Sequence, residues 1–247
     1  MKQVSKLKRA SKLKQVLSIW LWFIGSLFFL FSFFILAFCM FLFPQKTTFK
    51  IVRFLFNILI RLMGIKLVVK GKEYIQPNKP YLIMGNHQSL FDIFVIPAAI
   101  PICFVGVEAA YHFSLPVWGY LIRKWGCIPI ERNNLKKAVL SLETAKKTLL
   151  SGMNIGILPE GHRTLTGKLG FFKKGPFYLA KGAQADILPF GINGLFNYNP
   201  KGSVILNPGK VKLSIGKPIP YSSFKDLSVE ELRKLTFDRI CTLSQQF

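Results

Sequence analysis

The sequence predicts an α/β domain, a mostly parallel mixed sheet flanked by helices, preceded by an N-terminal helical membrane anchor. Three observations carry that reading. An uncharged apolar run extends from Val16 to Phe43, short apolar or β-branched runs alternate with helical patterns after residue 65, and no acidic residue occurs before Glu73. The chain divides accordingly into 1–65, the anchoring helices, and 66–247, the α/β domain. Its 247 residues suffice for one domain with a sizeable core and are too few for two comfortable ones.

The anchor is read from its charges and its length. Lys2, Lys6, Lys8, Arg9, Lys12 and Lys14 lead into the apolar run. A helix through that run is roughly 42 Å long, more than the hydrocarbon core of about 30 Å requires. A signal peptide has a shorter apolar core and a small-residue cleavage site, which Phe38-Cys39-Met40-Phe41 does not offer, so the segment is expected to be retained. Lys46, Lys50 and Arg53 follow the run, so positive charge on both flanks sets no orientation. In Thr47–Ile65 the residues Lys50, Arg53, Asn57 and Arg61 share one helical face. Such a helix either lies in the membrane interface or covers the core of the following domain, or does both. Gly25-Ser26 and Pro44 are candidate bends, which favours a re-entrant or monotopic hairpin on the cytoplasmic face of the bacterial inner membrane over a full span.

Composition limits the partners. There are 34 Lys and Arg against 11 Asp and Glu, a formal net charge of +23, while 51% of residues are hydrophobic and 24 are phenylalanine. So basic a chain needs an anionic partner, nucleic acid or an anionic membrane surface. The apolar region and the purely basic region are the same region, which favours lipid, and no nucleic-acid motif is present. Cys39, Cys103, Cys127 and Cys241 are scattered without a CxxC pair. They read as free thiols in a reducing compartment, with no metal expected.

In the second region Lys66–Lys70, Tyr81–Gly85, Ile102–Val107, Cys127–Ile130, Asn154–Leu158, Asp186–Ile192 and Val211–Ile215 read as strands. Asn134–Leu150 is the clearest amphipathic helix, with Leu135, Ala138, Val139, Leu142, Ala145 and Leu149 on one side. A last helix begins near Ser228, where Glu231 completes a capping box. Strand–helix alternation argues for a largely parallel sheet, and the Pro/Gly-rich stretch 193–217 for loops and hairpins.

Four blocks carry chemistry. Asn86-His87-Gln-Ser-Leu-Phe-Asp92 follows directly on a strand, the place where ligand sites of open α/β sheets lie. Residues five apart on a continuous helix diverge by about 140°. His87 and Asp92 can therefore meet only if His87 sits in the turn and Asp92 in the first turn of the next helix. There the carboxylate holds one ring nitrogen and leaves the other as a base. The plainer alternative is a loop histidine followed by a helix-start aspartate. Gly126-Cys-Ile-Pro-Ile-Glu-Arg132 ends a strand on an arginine, either a phosphate clamp or a solvated charge. Leu158-Pro-Glu-Gly-His-Arg-Thr164 brings Glu160 and Arg163 to the same sheet edge, as a polar cluster or a turn-closing ion pair. Lys168, Lys173 and Lys174 surround Phe171-Phe172 as a basic, aromatic patch, and Ile187-Leu-Pro-Phe190 is a candidate pocket wall.

In order and spacing the blocks resemble those of the lysophosphatidic acid acyltransferase (PlsC-type, HX4D glycerolipid acyltransferase) family. Asn86, His87 and Asp92 match its NHxxxxD pattern; Gly126, Ile128, Pro129 and Arg132 match its second block. Pro159, Glu160, Gly161, Arg163 and Thr164 match its third, and Leu188, Pro189 and Phe190 its fourth, so the resemblance covers residues 66–220. It implies a direct O-acyl transfer from an acyl thioester, of coenzyme A or acyl carrier protein, to the free hydroxyl of a membrane lysophospholipid, most simply 1-acyl-glycerol-3-phosphate. His87 oriented by Asp92 would be the base. Arg132, Glu160, Gly161, Arg163 and Thr164 would bind substrate, with Asn86, His162, Lys173 and Lys174 as accessory residues. No cofactor is implied beyond the thioester co-substrate.

Two departures stand out. A lysine common in such enzymes before a Pro-x-x-Gly turn is Ala109 here, ahead of Pro116-Val-Trp-Gly119, with Glu108 the nearest charge. His162 replaces a small residue of the third block, which opens the choice of acceptor headgroup. A serine hydrolase using Ser89 lacks the G-x-S-x-G elbow, and a non-catalytic basic tether leaves the His87/Asp92 and Glu160/Arg163 blocks unexplained.

Overall fold

The computed structural model describes residues 11–76, 79–131 and 133–245, so Lys2, Lys6, Lys8, Arg9 and Arg132 lie outside the described residues. Seven strands form one sheet: β1 (Ile65–Lys70), β2 (Tyr81–Gly85), β3 (Phe104–Ala109), β4 (Ile128–Ile130), β5 (Asn154–Ile157), β6 (Asp186–Asn193) and β7 (Gly209–Ile215). Their order is β1-β7-β6-β2-β5-β3-β4. Every neighbouring pair is parallel except β6 with β7. The seven strands are those the sequence predicts. β3 is displaced furthest, because Val107, Glu108 and Ala109 pair with β4 and carry the strand past its apolar core. β2, at the centre, is buried at all five residues, as a parallel strand covered on both faces must be.

Helices cover both faces. On one side lie α1 (Lys12–Leu42), α2 (Gln45–Leu62), α3 (Asp92–Ala99) and α4 (Pro116–Trp125). On the other lie α5 (Leu135–Leu150) and α6 (Gly175–Gly182); a short turn, α7 (Leu195–Tyr198), follows β6, and α8 (Val229–Gln245) completes that second layer. Asn134 caps α5 by accepting the Lys137 N–H. Of the apolar face expected for α5, Ala145 and Leu149 are buried while Leu135 and Val139 stay exposed. α8 starts with the expected capping box, Ser228 and Glu231 each accepting the other's backbone N–H.

The N-terminal pair is an antiparallel hairpin turned at Phe43-Pro44. Two expectations are corrected. Gly25-Ser26 makes no bend: α1 runs straight through it, and Gly25 instead admits Met63, whose Sδ would lie 2.0 Å from an added Cβ. The second helix ends at Leu62, not Ile65, because Gly64 at φ +80° turns the chain and Ile65 already pairs with Gly209 of β7.

α1 buries only Ser18, Leu21, Gly25, Ser32, Leu36 and Cys39, a single stripe of mostly small residues at helical spacing. Along that stripe Ser18 Oγ accepts the Leu206 N–H at 3.0 Å, Trp22 donates to the Val204 carbonyl at 2.8 Å, and Phe33 meets Tyr120. The rest of its circumference, from Leu13 to Leu42, exposes large apolar side chains. Among the described residues it is the one helix long and apolar enough to cross a membrane. α2 takes the core-covering part of its expected roles, burying Phe49, Val52, Leu55, Phe56, Leu59 and Ile60, with Lys50 and Arg61 outward. Arg53 is half-buried with its Nε unpartnered among the described residues, and burial lowers its pKa.

α8 lies so close to β6 that a Cβ on Gly191 would meet the Ser244 backbone nitrogen at 2.3 Å. Backbone cannot yield as a side chain can. Gly191→Ala is expected to destabilise the fold by about 1–3 kcal/mol, read as a lower denaturation midpoint in detergent-solubilised protein.

Candidate active site

The turn after β2 is closed by one carboxylate. Asp92, the first residue of α3, is 1% exposed. Its Oδ2 accepts three hydrogen bonds, from His87 Nδ1–H at 2.5 Å, Gln88 N–H at 2.8 Å and Ser89 N–H at 3.1 Å. Its Oδ1 is buried without a partner among the described residues. This is the one arrangement in which histidine and aspartate five apart can meet, with the histidine in the turn. Bonding through Nδ1 leaves Nε2 of His87 for the adjoining cavity.

Neighbouring side chains fix this turn from outside. Asn86 donates to the Ile192 carbonyl and accepts the Ile192 N–H, at 2.9 and 2.7 Å, extending the β2–β6 ladder beyond the strand. Gln88 accepts the N–H groups of Leu195 and Phe196 at the start of α7. Ser89 Oγ–H donates to the Asn199 carbonyl at 2.9 Å, so its hydroxyl is committed to backbone and not to a base. Glu160 accepts the His87 and Gly170 N–H groups, both at 2.7 Å, while the Thr164 N–H donates to the His87 carbonyl. Burial pushes the Glu160 carboxyl up from the usual carboxylate range, against the two N–H donors and His87, which pull it down.

A cavity of about 290 Å³ opens beside His87. Its inner walls are apolar: Leu36 of α1, Phe49, Val52 and Phe56 of α2, Phe104 of β3, and Leu121 and Trp125 of α4. Phe190 adds to the wall, as expected of its block, and Gly85 makes room for it, since a Cβ there would lie 2.2 Å from the ring. The polar lining comprises His87 and Asp92 with His162, Arg163 and Lys201, and Glu108 with His112. Ala109 is buried and contributes no charge. Burial pushes the Cys127 thiol, also in the lining, up to about 12. All four cysteines are free thiols, as expected.

The expected site residues therefore divide. His87, Asp92, His162 and Arg163 meet around the cavity. Asn86, Glu160, Gly161 and Thr164 lie behind it. The Thr164 hydroxyl donates to the Lys168 carbonyl and accepts from Thr166 and Gly167, and Gly161 at φ +72° supplies the turn. Lys174 pairs with Glu230 at 2.5 Å, Phe172 is core, and Phe171 lies under Arg233, so these three residues of the anticipated basic, aromatic patch pack against α8, while Lys168 stays exposed. Lys173, exposed on the same turn, is not among the cavity residues. Sequence reasoning missed Lys201, His112 and Trp118; the four-residue spacing of Glu108 and His112 was the available signal.

Glu160 makes stability depend on pH with a definite sign. A raised pKa means that the folded state holds the proton more tightly than the unfolded state. Its contribution is present below the ordinary carboxylate range and lost as pH rises through the raised value. Glu160→Gln is expected to remove that slope, and to cost about 1–3 kcal/mol by turning an amide NH2 toward one of the two N–H groups. Urea unfolding across about pH 4 to 8 measures both.

Comparison with known proteins places the chain in a family. Residues 66–193 match the Acyltransferase family. A chloroplastic 1-acyl-sn-glycerol-3-phosphate acyltransferase of Brassica napus is 31% identical over 67% of this chain and 48% of its own length. The chain thus spans about half the length of this and the other plant and algal relatives. A 1-acyl-sn-glycerol-3-phosphate acyltransferase of Borreliella burgdorferi is 29% identical over 79% of this chain and 78% of its own. Among solved structures, the LPA acyltransferase PlsC of Thermotoga maritima superposes with a TM-score of 0.84 at 26% identity, covering 94% of this chain and 95% of that one. The chain belongs to the acyltransferase family, the one its four blocks resemble.

Proposed function

We propose that the protein transfers a fatty acyl group from an acyl thioester to the free hydroxyl of a lysophospholipid, with 1-acyl-glycerol-3-phosphate as acceptor and phosphatidic acid as product. The observation that carries this reading is the position of His87. Its Nδ1 is held by a buried carboxylate, and its ring borders a cavity apolar within and basic at Arg163 and Lys201. The names of the relatives support the same acceptor.

In this scheme His87 Nε2 takes the proton of the acceptor hydroxyl as its oxygen attacks the thioester carbonyl carbon. The tetrahedral intermediate collapses, the C–S bond breaks, and the thiolate leaves with the proton returned from His87. Asp92 keeps the imidazole in the required tautomer and stabilises its charged form. The acyl chain lies among Phe49, Val52, Phe56 and Leu121, and the acceptor phosphate faces Arg163 and Lys201. Arg132, two residues after β4 in the sequence, is assigned to the phosphate site in this reading on the match of its block alone. A thioester is already activated, so the scheme calls on no metal or cofactor. Coenzyme A and acyl carrier protein thioesters present the same reacting group.

In this reading the hairpin holds the chemistry at a membrane. α1 is attached to the domain from Ser18 to Cys39, about 32 Å at 1.5 Å per residue, which matches the whole hydrocarbon thickness. A helix docked over that length cannot span upright without drawing the domain in with it. We therefore read α1 as lying along one leaflet, its exposed side chains among the acyl tails. The cytoplasmic face of the inner membrane, anionic and attractive to a basic chain, suits it best.

Two measurements test this reading. Purified protein in mixed micelles is expected to release thiol from acyl-CoA or acyl carrier protein thioester only when lysophosphatidate is present. His87→Ala should lower that rate by about 10²–10⁴-fold. Thiol release without acceptor, abolished by Ser89→Ala, would replace transfer by hydrolysis. Anchoring through apolar side chains also predicts that protein bound to anionic vesicles stays bound in 1 M salt, where charge attraction is screened within about 3 Å. Release by salt would make the attachment electrostatic.

A further inference from the structure

We propose that His112, held by Glu108, is a second hydrogen-bonding group of the same site and binds the carbonyl oxygen of the acyl thioester while His87 acts on the acceptor. The proposal rests on the acyl-transfer reading above. The chain has three histidines, and all three line the one cavity. Two of them are built alike. His87 Nδ1 meets Asp92 at 2.5 Å, and His112 Nδ1 meets Glu108 Oε2 at 2.7 Å, each pairing leaving Nε2 as the second ring nitrogen. Glu108 Oε2 also accepts Trp118 Nε1–H at 3.3 Å, so the carboxylate that orients His112 is itself held.

The two pairs share one packed support. Trp118 packs against Phe29 of α1 and Phe94 of α3, with ring centroids 6.3 and 6.2 Å apart. α3 is the helix whose first residue is Asp92. One rigid cluster thus sets both imidazoles. A pair serving only to close the turn Ala110–Ser114 would lie best in open solvent, where its polar groups lose no hydration. This one instead lines a cavity whose neighbouring walls, Leu121 and Ile122, are apolar.

The sheet supplies the spacing. Only β5 separates β2 from β3, so the strand ends that precede the turns of His87 and His112 stand two strand spacings apart, about 10 Å. A base, an attacking hydroxyl, a carbonyl and a donor to its oxygen extend in line over roughly 10 Å at hydrogen-bond and near-attack distances. An array of that length matches the spacing of the two strand ends, and both imidazoles line the same cavity. As the acceptor oxygen bonds to the carbonyl carbon, the carbonyl π pair moves onto oxygen. His112 stays bonded to Glu108 through Nδ1, donates Nε2–H to that oxygen and loses no proton. The lone pair then returns, the C–S bond breaks, and the thiolate takes the proton held by His87.

The test compares wild type with His112→Ala, His112→Gln and Glu108→Gln in the thiol-release assay, with kcat and the acceptor KM measured separately. His112→Ala is expected to lower kcat by about 10²-fold, the loss typical for a donor to a developing oxyanion, with the acceptor KM within about threefold. Glutamine at 112 keeps an N–H donor and should recover part of the rate, as should free imidazole added to His112→Ala. Glu108→Gln keeps a neutral acceptor and should fall between. The proposal fails if His112→Ala keeps kcat within about threefold of wild type, or if its loss is relieved neither by glutamine nor by imidazole, as for a structural pair. A wild type that turns over while His112→Ala does so equally well sinks this inference alone. A wild type that transfers no acyl group to any lysophospholipid sinks the transferase reading and this inference with it.

Discussion

Asp92 is the residue on which the rest of the site depends. A carboxylate in a site 1% exposed to solvent is tolerable only if donors replace the water it has lost, and three N–H groups converge on one of its oxygens. Two of those donors are backbone groups of the turn itself, so the carboxylate folds the turn while it orients His87. The turn has few other ways to satisfy its backbone, and it sits where β6, α7 and the segment after β5 all reach it through Asn86, Gln88 and Glu160. Removing the charge would strand several donors at once, which is why a short polar stretch at the end of an apolar strand holds one conformation. The buried glutamate behind it applies the same logic from the other side, giving an acceptor to the His87 N–H that no strand continues to satisfy.

The second constraint is the narrow contact of α1. Its buried stripe is made largely of small or slightly polar residues, Ser18, Gly25, Ser32 and Cys39, which let the helix approach the domain closely. Phenylalanines fill the opposite side. A helix packed in water would invert that distribution and bury the large side chains. The pattern makes sense when the outer solvent is lipid, where large apolar groups gain nothing by turning inward and close packing of small residues decides which face docks. Hydropathy alone marks the segment as membrane-seeking, and the position of its small residues indicates which face meets protein.

Much of the fold was legible because its signals are local. Strand cores of β-branched and apolar residues, the capping box at Ser228 and the amphipathic stretch after Asn134 each follow from short-range rules, and each reappears in the structure. The geometry of His87 and Asp92 was also legible, because five-residue spacing excludes a continuous helix. What was not legible depends on contacts between distant segments. Nothing near Gly25 announces Met63, and nothing near Lys173 and Lys174 announces that α8 brings Glu230 and Arg233 to that turn. Matching a motif could not separate residues that face the cavity from those that brace it. Thr164 and Glu160 carry the expected chemistry, but their polar atoms are used up by the backbone.

The hairpin proposed to meet lipid also forms the cavity wall. Leu36 and Met40 of α1 and Phe49, Val52 and Phe56 of α2 turn inward to the cavity, while Phe34, Phe38, Phe41 and Phe54 of the same helices turn outward. In the proposed reaction this matters energetically. Each methylene of an acyl chain taken into water costs about 0.8 kcal/mol, so a long chain crossing an aqueous gap would face a barrier on the order of 10 kcal/mol. A cavity walled by the inner face of a lipid-embedded hairpin allows the chain to pass between bilayer and site along continuous apolar surface. Only the phosphate, the hydroxyl and the thioester then need polar partners, and those partners belong at the carboxyl edge of the sheet. His87, Arg163, Lys201 and His112 all line the same cavity as those apolar side chains. In the proposed reaction one hairpin thereby supplies both the attachment to the membrane and the means of bringing an insoluble substrate to the base.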